Sequence, residues 1–237
     1  LSKATALKSP ETVSEEAAKK PSARQRLMDA SEQLFAEHGW NAVSIRSIVA
    51  AADVNLAALH YHFGSKEQLL SEIFAARAAP IAAERVRLLS EIDLDSAPSL
   101  ERILEAFLRP ALIIGSDVRA GGRAFVKLRA RLATEPETVS RRILARAFDA
   151  SSGAFLDALA RALPDIPRAE LEWRFHFMLG AMFYTMADAG RIQSLTDGRC
   201  DPGRVEEALA RIVPFLAAGF RSQPEIKSIT KSRRRSK

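Results

Sequence analysis

The chain has 237 residues, enough for a small head and a larger body around a real core. Hydrophobic residues make up 47%, with Ala and Leu abundant and Val, Ile, Thr and Tyr sparse, which points to an all-α protein. No apolar run reaches the roughly 18 residues a membrane span needs. The polar start, Leu1 to Lys20, lacks the apolar stretch of a secretory signal. The one cysteine, Cys200, allows no internal disulfide and fits a reducing cytoplasm. The net charge is +6, but residues 1–70 hold eight basic and eight acidic side chains and residues 71–226 hold 21 of each. The whole excess lies in Lys227, Lys231, Arg233, Arg234, Arg235 and Lys237. Any nucleic-acid interface must therefore come from charges arranged on one face, not from bulk basicity.

Residues 1–21 read as a disordered arm and residues 222–237 as a basic disordered tail. Between them, a head over 22–68 precedes a helical body over 69–221. The first helix starts near Ser22, an N-cap after Pro21, and carries Leu27, Leu34 and Phe35 at helical spacing before His38-Gly39 ends it. Ser44 caps a short second helix with Ile45, Ile48, Val49 and Ala52 facing inward. Asp53-Val54 is a turn, Asn55 caps a third helix over Leu56–His62, and Gly64 stops it. Ser65 caps a long helix reaching about Ile92, with Glu67 in its first turn and Pro80 as a kink. Further helices are expected over Ser99–Ile114, Arg119–Ala133, Pro136–Leu163, Pro167–Gly190 and Pro202–Phe220, giving about nine in all.

The segment Ser44–Lys66 carries the chemistry. Two helices of seven or eight residues cannot stand alone, so Ile45, Ile48, Val49, Val54, Leu59 and Phe63 must share a small core with the first helix. Leu59 and Phe63, four apart, fall on one face. Leu56, Ala57, Ala58, His60 and Tyr61 are left on the other, which is short, nearly uncharged and aromatic at its end. Small side chains at a helix N-terminus allow it to approach base edges, and its amides attract phosphate. Leu56 also stands near the buried stripe, His62 is an alternative cap for the helix end, and Trp40 reads as a packing anchor.

Phe35-Ala36-Glu37-His38-Gly39-Trp40, Ser44-Ile45-Arg46-Ser47-Ile48 and Leu59-His60-Tyr61-His62-Phe63-Gly64-Ser65-Lys66 together resemble the helix-turn-helix of the TetR family of bacterial transcriptional regulators. The likeness covers about residues 22–75. It implies a DNA-binding repressor with contacts from Ser44, Arg46, Asn55, Leu56, Ala57, Ala58, His60, Tyr61, His62 and Lys66. Two departures from the common pattern stand out: Asn55 where Ser is frequent, and His60 where Tyr often sits. The second means that the operator sequence cannot be borrowed from a relative.

A head of this kind works in pairs, with two recognition helices about 34–36 Å apart. The stretch Trp173–Tyr184 is apolar nearly all round, so it needs cover on two sides. A four-helix homodimer interface is expected from Trp173, Phe177, Gly180, Phe183 and Tyr184 with Val205, Leu209, Ile212 and Leu216. Phe107, Leu108, Leu112, Phe125, Leu128, Arg129, Phe148, Phe155 and Phe177 are the candidates for an effector pocket, although such stripes are more often plain core. The strings Val54–Ala58, Leu163-Pro164 and Glu172–Ala181 are similar to the fatty-acid-responsive PsrA-like branch, which implies a small lipid-like or acyl effector. The basic run Arg119, Arg123, Lys127, Arg129 and Arg131 offers an acidic headgroup a partner, or else a solvated face.

Catalysis is not expected. The sequence has no Ser/His/Asp spacing, no metal cluster and no glycine-rich phosphate loop, and His60/His62, two apart, suit a metal poorly. No cofactor, metal or membrane partner is expected. The competing reading is an architectural DNA-binding protein without sequence preference or ligand, which the roughly 150 residues after the head make uneconomical.

Overall fold

The computed structural model describes residues 21–96, 98–117, 121–134, 138–187 and 190–223. The expected arm (1–21), tail (222–237) and Arg119 lie outside them, apart from residues 21, 222 and 223. Among the described residues the chain forms ten helices and no strand. They are α1 (Ala23–His38), α2 (Ile45–Ala51), α3 (Leu56–Phe63), α4 (Lys66–Ser90), α5 (Leu100–Ser116), α6 (Gly122–Thr134), α7 (Thr138–Ala162), α8 (Arg168–Met186), α9 (Arg191–Leu195) and α10 (Val205–Arg221).

Side-chain caps set several of the starts. Ser22, Ser44, Asn55, Ser65 and Ser99 each accept from the backbone N–H three residues on, at 2.8–3.4 Å. The end of α3 is set by Gly64, whose φ of +72° places it in the left-handed region that glycine occupies without strain. Gly122 opens α6 for a different reason: a Cβ there would fall 2.0 Å from the Ile114 carbonyl oxygen, so only glycine lets α6 close onto the end of α5.

One core runs through head and body. α4 crosses the expected boundary near residue 68 without a break, carries Pro80 inside it, and packs on α1 at one end and on α5 and α7 along its length. α6 packs against α1, and α10 lies on α5 and α8. The body is therefore joined to the head twice, through α4 and through α6. The sequence reading anticipated only the first. α9, five residues long, was also absent from it, because one turn of helix carries no periodic signal.

Candidate nucleic-acid interface

The head is built on four fully buried side chains, Leu27 and Phe35 of α1, Ile48 of α2 and Leu59 of α3, with Phe63 of α3 packed on them. The turn between α2 and α3 contains Asp53 at φ +50°, a left-handed conformation uncommon for a residue with a Cβ. Arg26 of α1 holds this turn. Its Nε donates to the Ala52 carbonyl at 3.0 Å, and its terminal nitrogens donate to the backbone carbonyls of Asp53 at 3.3 Å and Pro21 at 3.0 Å. Nothing in the sequence singled out Arg26, since an arginine on an amphipathic helix usually faces water. Asp53→Val would put a β-branched side chain in the left-handed region. It is expected to cost about 1–2 kcal/mol in thermal or urea denaturation.

With Leu59 and Phe63 inward, the rest of α3 faces out. Tyr61 is 85% exposed and Leu56 46%, so Leu56 belongs to the outer face and not to the core. Ala57 and His60 are exposed, and Ala58 and His62 half-buried. Ser44 and Arg46 are exposed at the start of α2. The helix-end cap open to His62 as an alternative falls to His60 instead: its Nδ1 lies 3.0 Å from the Gly64 carbonyl oxygen and donates to it in the tautomer protonated there. Lys66 is engaged inside the head. Its Nζ donates to the carbonyls of Trp40 at 2.7 Å and Val43 at 2.9 Å and lies 4.7 Å from the centre of the Trp40 ring. It pins the loop between α1 and α2, and Trp40 is the packing anchor the sequence suggested.

In the body, Phe107, Leu108, Leu112, Phe125, Leu128, Arg129, Phe148 and Phe155 are all buried. Phe177, placed in the same pocket by the sequence reading, is 62% exposed on the outside of α8. Trp173 at 61% and Tyr184 at 70% share that outer side, with Gly180 between them. The expected interface needs correcting on α10. Leu209 and Leu216 are buried within the protomer, and Val205 and Ile212 pack against its core. The outward residues of α10 include Phe215, 72% exposed, with Ala218 and Gly219. Phe183 turns inward, where its ring lies 4.3 Å from the Arg129 guanidinium. Of the basic run, Arg123, Lys127 and Arg131 are exposed, and Arg131 donates to the Glu37 carbonyl of α1 at 2.9 Å.

A three-helix head with a capped, outward-facing third helix, set on a helical body, is the architecture of a helix-turn-helix regulator. Residues 27–73 match the family described as bacterial regulatory proteins, tetR family, and residues 105–219 match the tetracyclin repressor-like C-terminal domain. The two matches together span well over half of the chain, which belongs to the TetR family. The HTH-type transcriptional dual regulator CecR of Shigella flexneri is 36% identical over 91 residues, 35% of this chain and 40% of CecR. The HTH-type transcriptional repressor KstR2 of Rhodococcus jostii is 32% identical over 81 residues, 34% of this chain and 39% of the repressor. The matched stretches thus span about two fifths of the length of these relatives. The fatty acid degradation regulator FadR from Bacillus halodurans superposes with a TM-score of 0.59 at 16% identity, covering 86% of this chain and 100% of FadR, which establishes the common fold.

No helix among the described residues is long and apolar enough to cross a membrane.

Proposed function

We propose that this protein is a homodimeric, sequence-specific DNA-binding transcriptional regulator, a cytoplasmic repressor released by a small hydrophobic or acyl-type ligand. The observation that carries the reading is the outer face of α3: exposed Leu56, Ala57, His60 and Tyr61 with no acidic side chain, on a helix whose N-terminus is capped by Asn55. Leu56, Ala57 and Ala58 meet base edges, where an apolar contact to a thymine methyl is available. His60 and Tyr61 reach bases or backbone, and Ser44, Arg46, Asn55 and His62 position the head on phosphates. Lys66 supports this surface from beneath through Trp40 and Val43, and any phosphate it takes is shared with that duty.

The symmetric partner is supplied by the outer faces of α8 and α10. Trp173, Phe177, Tyr184 and Phe215 are four large apolar side chains left exposed by a single protomer. Ligand binding in the body shifts α4 and α6, the two helices that touch the head, and so changes the spacing of the two recognition helices. For such a shift the ligand must prefer the released state; a 100-fold preference corresponds to about 2.7 kcal/mol.

Fluorescence anisotropy with genomic fragments flanking the protein's own gene tests the reading. Ala57→Glu brings a carboxylate against the phosphates and is expected to weaken specific binding at least ~100-fold, and Tyr61→Ala about 10-fold. Both side chains are exposed, so the melting temperature should stay within ~2 °C of the wild type. Binding without sequence preference at every salt concentration would support the architectural alternative instead.

A further inference from the structure

Among the described residues, the interior of the body holds two guanidiniums without a counter-charge. Arg85 of α4 is 1% exposed and Arg129 of α6 is 3% exposed. Arg85 donates through Nε to the Phe107 carbonyl at 2.8 Å and touches the Met182 sulfur at 3.6 Å, with the Phe107 ring 3.6 Å away. Arg129 lies between the rings of Phe148 and Phe183, at 4.0 and 4.3 Å, and its buried Nε and Nη1 have no acceptor. The contrast is Arg174, also buried, which donates to Glu170 at 2.9 Å and to the Phe220 carbonyl at 2.7 Å. An unpaired buried cation is one of the most costly groups a core can hold, and arginine does not escape by losing its proton. Burial pushes both down to about 9, which leaves them charged at neutral pH.

The two charges flank one point of α8: Met182 meets Arg85, and its neighbour Phe183 meets Arg129. A cleft of about 380 Å³ lies between α4 and α7, lined by Phe74, Ala78, Ala82, Ile143, Ala147 and the exposed Arg146. Ala82 is one helical turn from Arg85, and Ala147 adjoins Phe148, the ring stacked on Arg129. An anionic group would satisfy the open donors of Arg129 and remove the repulsion between the two cations.

We propose that Arg85 and Arg129 read the acid group of the effector, an organic carboxylate whose apolar body seats in the cleft between α4 and α7. The assignment rests on the regulatory reading above and gives it a chemical class. It also explains how a bound acid reaches the DNA-binding face, because Arg85 and Arg129 stand on the two body helices that pack against the head.

The test is calorimetric titration of the full chain with decanoate and 4-phenylbutyrate, each beside its neutral amide. At least one acid is expected to bind 30-fold or more tightly than its amide. Arg129→Met and Arg85→Met should each abolish that preference while the melting temperature of the unliganded protein holds or rises. A merely structural arginine would lower it. Arg129→Gln, without the charge but with hydrogen-bonding capacity, serves if the methionine variant fails to fold. Equal binding of acid and amide, binding of neither acid, an unchanged preference in the variants, or an equal effect of inorganic phosphate overturns the proposal. Operator binding on the same samples separates the two readings. Specific DNA binding without acid preference overturns the carboxylate alone, whereas acid preference without specific DNA binding supports the carboxylate and overturns the regulator.

Discussion

Phe177→Glu combined with Phe215→Glu is expected to convert the dimer to monomers and to lower operator affinity about 10³-fold. Both side chains are largely exposed in the protomer, at 62% and 72%, and both line one apolar cleft of about 390 Å³ between α8 and α10. Neither supports the protomer core, so the helical circular-dichroism signal should persist. Across a two-fold axis the change brings four carboxylates into a surface that would otherwise exclude water, and like charges desolvated together cost several kcal/mol. A lone head then loses the effective concentration that the second head supplies, which is the origin of the ~10³ factor. Sedimentation velocity reads the oligomeric state, and anisotropy on duplexes with one or two half-sites reads the consequence. Affinity for the single half-site should barely change. A dimer that survives both substitutions would place the interface elsewhere.

That interface shows where the sequence was legible and where it was not. Trp173, Phe177, Gly180 and Tyr184 could be read as an outward face because α8 carries apolar residues on more of its surface than one core can cover. For α10 the same reasoning picked the face that packs on the protomer's own core. Leu209, Ile212 and Leu216 form the stronger stripe and therefore the inner one, packed on α5 and α8, and only the structure leaves Phe215 outside. The head was readable almost residue by residue, since Ser22, Ser44, Asn55 and Ser65 act on backbone three positions away, and local signals survive in a linear string. Arg26, Arg85 and Lys66 illustrate the limit. Their partners include carbonyls 22 to 27 positions distant, and a long basic side chain gives no sign in sequence of whether its head is in water or in the core. Arg129 stands in the sequence both among the pocket candidates and in a basic run, and its exposed neighbours Lys127 and Arg131 differ from it only by the turn of the helix.

The junction between head and body offers the second large effect. Glu32 of α1 is 4% exposed and receives Arg77 of α4 in a forked arrangement, from Nε at 3.0 and 3.2 Å and from Nη2 at 2.6 Å. Gly121, just before α6, comes so close that a Cβ there would lie 2.7 Å from Arg77 Nη2. The pair therefore sits where α1, α4 and the start of α6 meet. Glu32→Ala leaves a part-buried guanidinium without its carboxylate and is expected to cost about 3 kcal/mol. For a chain of this size that is a fall of roughly 6–12 °C in melting temperature. Glu32→Leu with Arg77→Met replaces both charges by apolar groups and should recover most of it. The double variant would then be stable, bind operator, and respond less to the effector, because the link that transmits motion from α4 to α1 is gone. Recovery of stability with a full ligand response would show that the pair only holds the fold. Burial raises the Glu32 carboxyl above its ordinary 4.5, against the hydrogen bonds and charge of Arg77. A folded value above the unfolded one gives a contribution that is fullest below 4.5 and is lost as pH rises through the raised value. The stability of the wild type relative to Glu32→Gln should therefore shift in its favour as pH falls from 7 to about 4, a trend opposite to that of a carboxylate whose partner outweighs its burial.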